Sequence, residues 1–343
     1  MSIPKLSDIA AATGVHEMTV SRALRNVGRM RAETRQRVLD AARQLGYRPN
    51  ASAAAMRTGH TGCVGLLTVS HDGKEDAPLA FAALTGMLDV LSRRGGFLAH
   101  AAWSDATDAD DVATLPPILG RRVAEGLLVQ GVPARPERFE VFLERNRLPA
   151  VWLNQTRNAN AVCLDDRGAS RKVTEQLLAM GHRRIAELRF SRTGDSRAIL
   201  ERTGGYEAAM QQAGLPAIGM AVSGSGGTRL RNLAEVVRDP TRRPTAILAP
   251  DDGVAVLVCL LELGLRVPEE VSLVAFAEDS MQTSDRVVST ARSPVDEMGR
   301  KAVDMLWRLM DAGMGSLPSV CLPYGEIDSL RTVGQVGQVE GRL

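Results

Sequence analysis

Residues 14–26 read Gly14-Val-His-Glu-Met-Thr-Val-Ser-Arg-Ala-Leu-Arg-Asn26, and this run decides how the N-terminal part of the chain folds. Val20, Ala23 and Leu24 recur at helical spacing on one side, while Glu17, Met18, Ser21, Arg22 and Arg25 fall on the other. Upstream, Leu6, Ile9, Ala10 and Thr13 mark the inward face of a first helix, which Gly14 interrupts. Downstream, a third helix over about 32–45 turns Val38, Ala41, Ala42 and Leu45 inward, with Gly46 and Pro49 as stops. Two helices joined by a short glycine-containing turn form a helix-turn-helix. The second helix of such a unit enters the DNA major groove N-terminus first, which presents His16, Glu17, Met18 and Arg22 to base edges. Arginine can hold guanine O6 and N7 together, Glu17 can accept from a cytosine amino group, and Met18 can touch a thymine methyl. Thr19, Ser21 and Asn26 are short hydrogen-bonding side chains suited to phosphate oxygens.

Charge distribution agrees. The whole chain of 343 residues has a formal net charge of +2. Residues 1–60 carry ten Lys/Arg against four acids, so this head is basic and the remainder mildly acidic. A basic head on an acidic body points to an anionic partner for the head. The 44% hydrophobic and 24% charged composition is that of a globular protein long enough for two or three domains. The four cysteines, Cys63, Cys163, Cys259 and Cys321, lie apart in apolar stretches, so each is expected to be a buried, reduced thiol. No CxxC and no paired histidines at metal-ligand spacing occur, and no cofactor or metal is expected. The N-terminus lacks the apolar segment of a signal peptide, and no run is long enough to span a membrane, so a cytoplasmic location is expected.

The segments Lys5-Leu-Ser-Asp-Ile-Ala10, Gly14-Val15, Met18-Thr-Val-Ser-Arg-Ala-Leu-Arg-Asn26 and Thr34 to Asn50 together resemble the headpiece of the lactose/galactose repressor family. The resemblance also assigns Tyr47 to the DNA-facing set. Two positions depart from it. His16 stands where the family has a Ser helix cap, and Arg31 where it has a Ser before the third helix; both are poorer caps, and His16 is read instead as a phosphate contact. Residues 50–60 resemble the family's hinge helix, which pairs with its twin and wedges the minor groove. Met56 occupies the wedge position.

From Cys63 onward, apolar runs at 63–69, 97–103, 126–130, 149–153, 161–164, 184–190, 217–223, 245–249 and 271–276 alternate with amphipathic helical stretches. Strand-helix alternation implies parallel sheets with right-handed crossovers, and nine or more units suggest two doubly wound sheets. The fold class is therefore an α/β body of two doubly wound parallel sheets behind a small all-α headpiece. The family resemblance continues through Val162 to Ala169, Met180 to Ala186, Arg202 to Met210, Gly264 to Ser272 and Pro294 to Gly299. It implies a periplasmic-binding-protein-like core whose chain crosses between subdomains three times. The resulting division is a headpiece at 1–49, a hinge at 50–60, a core at 61–333 and a flexible tail at 334–343. Within the core, subdomain N takes about 61–160 plus 291–323, and subdomain C about 161–290 plus 324–333.

The resemblance places an effector in the cleft between subdomains, with Phe81, Asn154, Arg202, Asp251 and Glu278 at family contact positions. Pro250 replaces an Asn of the family's Asn-Asp pair, and Ala277-Glu278-Asp279 stands where a single Asp is usual. Similarity to the gluconate-repressor branch, with Arg189, Arg192, Arg197 and Arg202 near the cleft, suggests a sugar acid such as gluconate or a keto-gluconate. No P-loop, dinucleotide fingerprint or nucleophile elbow is present; Gly224-Ser-Gly-Gly-Thr228 lacks the lysine and spacing such loops need. An enzyme is not expected. The expected protein is a homodimeric regulator, most simply a repressor, of a near-palindromic operator in double-stranded DNA, responsive to a sugar or sugar acid. A co-repressed or activating regulator, or a sugar-binding protein without a regulatory role, are the alternatives.

Overall fold

The computed structural model describes residues 4–48, 60–71, 74–75, 79–104, 106–190, 197–222, 229–239, 241–249, 253–313 and 315–336. The chain divides into two compact units, Met1–Thr61 and Gly62–Leu343.

In the first unit, the expected periodicities form three helices: α1 (Leu6–Thr13), α2 (Glu17–Leu24) and α3 (Ala32–Gln44). Their inward faces meet in a core of Ile9, Val20, Ala23, Val38 and Ala42. The Asp8 carboxylate accepts from the Lys5 backbone N–H at 2.7 Å and ties down the start of α1. Gly14 ends it at φ +69°, a left-handed conformation glycine adopts without strain. Leu45 departs from expectation: it follows α3 and lies exposed rather than in the core. The hinge segment 50–59, with Met56, lies outside the described residues.

The second unit holds two sheets. The first contains β1 (Cys63–His71), β2 (Lys74–Glu75), β3 (Phe97–Ser104), β4 (Gly126–Gln130), β5 (Ala150–Leu153), β6 (Ala161–Leu164) and β12 (Val320–Leu322). Its path runs β12-β6-β5-β4-β1, with β3 also on β1; every pairing is parallel except the short β1–β2 hairpin. The second sheet is wholly parallel, in the order β11-β10-β9-β7-β8. It uses β7 (Ile185–Phe190), β8 (Ile218–Val222), β9 (Ala246–Ala249), β10 (Ser272–Ala277) and β11 (Ser289–Arg292). The intervening helices are α4 (Phe81–Arg93), α5 (Pro117–Gly120), α6 (Pro136–Arg145), α7 (Asp166–Ala179), α8 (Arg197–Gln212), α9 (Arg229–Arg238), α10 (Gly253–Glu262) and α11 (Val295–Asp311).

The chain crosses between sheets after Leu164, after Arg292 and after Leu322. Three crossings were expected, but the subdomain limits differ. Residues 161–164 pair with β5 and β12 and so lie inside the first sheet, and 291–292 belong to the second. Apolar runs show that a strand exists; only pairing shows which sheet it joins. The expected tail also begins too early. Gly334 donates to Ser272 Oγ at 3.1 Å, and Val336 donates to the Met180 carbonyl at 3.2 Å. Cys63, Cys163 and Cys259 are buried free thiols as expected, whereas Cys321 is exposed because β12 is an edge strand. Burial of its thiol group against Cys163 still raises the Cys321 pKa to about 12.

His182 holds the end of the chain. It is buried, with Nδ1 3.0 Å from Thr245 Oγ1 and Nε2 3.0 Å from the Gly334 carbonyl. The carbonyl can only accept, so Nε2 carries the proton and the neutral Nδ1 faces Thr245 Oγ1, which also contacts the Arg184 carbonyl at 3.2 Å. Burial lowers the His182 pKa. The folded chain therefore resists a proton that the unfolded chain takes up from about pH 6.5 downward, and stability falls as pH falls through that value. Thermal midpoints between pH 7.5 and 5.5 should drop for the natural chain and drop less for His182→Gln. Equal slopes would refute the assignment.

Candidate functional site

The headpiece presents one face of α2 to solvent. Val20 and Ala23 are buried behind it, while Glu17, Met18 and Arg22 stand exposed, Met18 at 59%. Thr19 and Ser21 are half-buried on its flank, which leaves hydroxyls at the edge of the same face. Arg22, Arg25, Arg29 and Arg31 are all exposed, so the turn between α2 and α3 carries concentrated positive charge. Three details of the headpiece add to the residue-by-residue expectations. His16 does cap α2: its Nδ1 accepts from the Met18 N–H at 3.2 Å, so the imidazole takes over the role of a cap hydroxyl. Asn26 sits at φ +55°, a conformation that asparagine tolerates, so it shapes the turn whatever its side chain contacts. Tyr47 is half-buried and packs on the three-helix core.

In the body, the C-terminal ends of strands from both sheets converge around Asp166, at the first residue of α7 and just past the first crossover. Asp166 is fully buried. Its Oδ1 accepts from Arg202 Nε at 2.9 Å and from the Tyr324 hydroxyl at 2.8 Å. Its Oδ2 lies 3.3 Å from Arg197 Nη1. Arg202 Nη2 donates to the Tyr324 oxygen at 2.8 Å, and its guanidinium lies over the Phe276 ring, 5.1 Å from the centroid. Asp165 stands beside Asp166 and caps α7 through Gly168 N–H at 2.9 Å. Burial lowers the Arg202 pKa, but Tyr324 and Asp166 outweigh it and leave the pKa raised. Burial, the largest cause, raises the Tyr324 pKa, so its hydroxyl stays protonated.

Asn154, just past β5, has φ +51° and directs Oδ1 to the Leu164 N–H at 3.3 Å and to Arg197 Nη1 at 3.0 Å. Glu278 follows β10 as a separate group, near the Ala82 N–H at the start of α4. Burial, then Asp279, raises the Glu278 pKa against the lowering effect of that N–H. The neighbouring Phe81 is 77% exposed. Thus Asn154 and Arg202 come together around Asp166. Asp251 and Arg192 lie outside the described residues. Arg189 does not join the cluster; Glu187 and Glu207 hold it at 2.9 and 3.0 Å.

Asp166 and Tyr324 were not among the residues expected at this site. Asp166 had a signal, because a second acid directly after an apolar strand and a helix-capping Asp has no local role. Tyr324 had none. Among the described residues, no helix is long and apolar enough to cross a membrane, and no three or more His, Cys, Asp or Glu side chains could hold a metal.

Residues 5–50 match the model of bacterial regulatory proteins, lacI family, and residues 174–327 match that of the periplasmic binding protein-like domain. The chain is 28% identical over 323 residues to the HTH-type transcriptional regulator GntR of Pseudomonas aeruginosa, covering 90% of this chain and 89% of that one. Its fold is similar to the lac repressor dimer bound to operator and the anti-inducer ONPF, with TM-score 0.75, 21% identity, and coverage of 97% and 100% of the two chains. It is also similar to the transcriptional regulator CelR in complex with cellobiose, with TM-score 0.60, 25% identity, and coverage of 94% and 98%.

Proposed function

The chain belongs to the lacI family of bacterial regulatory proteins, and on that premise we propose that it is a non-enzymatic, cytoplasmic repressor that binds a near-palindromic operator as a homodimer. The observation that carries this reading is the exposed Met18–Arg22 face of α2, backed by buried Val20 and Ala23 and flanked by exposed arginines. Arg22 reads guanine, Glu17 and Met18 read neighbouring bases, and Thr19 and Ser21 meet phosphates. A small molecule bound between the two sheets changes the subdomain angle and, through the hinge containing Met56, the spacing of the two heads.

That effector is a sugar or sugar acid. The cellobiose complex of CelR supports the sugar class, and the GntR relative supports the gluconate-like branch. Phe81, Asn154, Arg202, Asp251 and Glu278 form its surroundings in this reading. Arg202 meets it alongside its bonds to Asp166 and Tyr324, so Arg202 serves as an oriented donor and not as an open carboxylate fork.

Selection of bound duplexes from a random library, followed by titration of the best site, tests the DNA reading. Arg22→Ala is expected to weaken the selected site about 10- to 100-fold per half-site while leaving random DNA little affected, since one bidentate base contact is worth about 1–3 kcal/mol. An equal loss on both duplexes would make Arg22 a phosphate contact. A thermal-shift panel of neutral sugars, sugar acids and sugar phosphates identifies the effector class.

A further inference from the structure

We propose that Arg197 is a releasable latch between the two subdomains, and that its release is the conformational step linking effector binding to operator affinity. The second clause rests on the regulator reading above; the latch itself does not.

Arg197 is the first residue of α8, in the second subdomain. Its Nε donates to Thr156 Oγ1 at 2.9 Å and its Nη1 to Asn154 Oδ1 at 3.0 Å. Both acceptors lie in the segment after β5, in the first subdomain. The same guanidinium is 3.3 Å from Asp166 Oδ2 and reaches the Leu164 carbonyl at 3.4 Å, on either side of the first crossover. One planar cation thus binds both subdomains and the connection between them. Its side chain is only 21% exposed, so solvent screens these bonds less than those of a surface pair.

The partition of its partners makes it a latch and not a fixed bolt. Thr156 and Asn154 move with the first sheet, whereas Asp166 opens α7 and moves with the second. Separating the subdomains breaks the bonds to Thr156 and Asn154 but leaves Arg197 on Asp166. The cation is never stranded, which is the usual large cost of breaking a buried pair. Thr156 is exposed and Asn154 half-buried, so water or the hydroxyls of an entering ligand can satisfy the freed acceptors. A ligand that hydrogen-bonds Asn154 or Thr156 competes directly with Arg197 and therefore distinguishes latched from released states, as any effector must.

The test uses the full chain and four variants: Arg197→Met, Thr156→Val, the double variant and Arg197→Lys. Hydrogen exchange in the segment 154–165 should quicken by about tenfold or more in Arg197→Met. Affinity for the selected operator should shift at least about fivefold, the lower end of ordinary allosteric coupling. Thr156→Val should shift it in the same direction, and the double variant should equal Arg197→Met alone, because both remove one interaction. If Arg197→Met does not fold, Arg197→Lys keeps the charge and loses the fork, and the same comparisons apply to it. Unchanged exchange, or strictly additive effects, would overturn the latch. Faster exchange with unchanged operator affinity would overturn its link to DNA. A natural chain that selects no duplex would refute the regulator reading, while the exchange data would still decide the latch.

Discussion

Replacing Asp166 with alanine should cost about 3–5 kcal/mol of stability, the usual penalty for removing one partner of a buried ion pair. Asp166 is fully buried, and it is the carboxylate on which Arg197 and Arg202 both converge, their side chains 21% and 15% exposed. Its removal leaves two largely desolvated guanidinium groups facing each other and deprives the Tyr324 hydroxyl of its acceptor. Urea unfolding should show a midpoint lower by about 1 M or more. Asp166→Asn keeps one acceptor oxygen but not the charge, and should fall between. Replacing all three charges at once, as Asp166→Leu with Arg197→Met and Arg202→Met, should recover much of the loss, because an apolar cluster has no charge to desolvate. If Asp166→Ala melts like the natural chain, water reaches the cluster and the burial argument fails.

Gly299→Val should destabilise the body by about 3 kcal/mol or more, at or beyond the upper end of ordinary overpacking. Gly299 in α11 and Gly86 in α4 form a reciprocal close approach. A Cβ on Gly299 would lie 2.1 Å from the Ala83 carbonyl oxygen, and one on Gly86 would lie 2.1 Å from that of Asp296. Both obstacles are helical backbone and cannot swing aside as a side chain can. The helices must separate, which opens the packing of Met298, Ala302 and Leu306 against Met87 and Leu91. The second subdomain repeats the device where Gly205 in α8 meets the Arg167 carbonyl of α7, again at 2.1 Å for an added Cβ. A thermal midpoint within a degree of the natural chain would show that α4 and α11 slide apart at little cost.

These two expectations rest on different kinds of legibility. The glycine at 299 closes the segment Pro294 to Gly299, which resembles the repressor family in sequence, yet the reason for a glycine there is Ala83 in a helix more than 200 residues earlier in the chain. The expected strands from Cys63 to Phe276 reappear within one or two residues of their observed bounds. Elements that escaped were short or at an edge: β2, β11, β12 and α5 run for only two to four residues each. Among site residues, the outward set on α2 was readable because inward and outward positions alternate within one short helix. The roles of His16 as a cap and Tyr47 as a core ring were not, since both depend on contacts that periodicity does not encode.

By itself the sequence determined what is local: three helices with a basic outward face, alternating strands and helices, and hence a small DNA-binding head on a two-sheet body. Hydrophobic period, caps and turn glycines act over a few residues, so they can be read one segment at a time. The tertiary structure alone decided which strands share a sheet, where the three crossings fall, and which charges meet. Asp166 finds Arg197 and Arg202 31 and 36 residues away and Tyr324 at a separation of 158. No local pattern specifies such a pairing. It is set by chain crossings that bring the C-terminal ends of β5, β6, β10 and β12 together, where burial makes an unpaired charge too costly to keep.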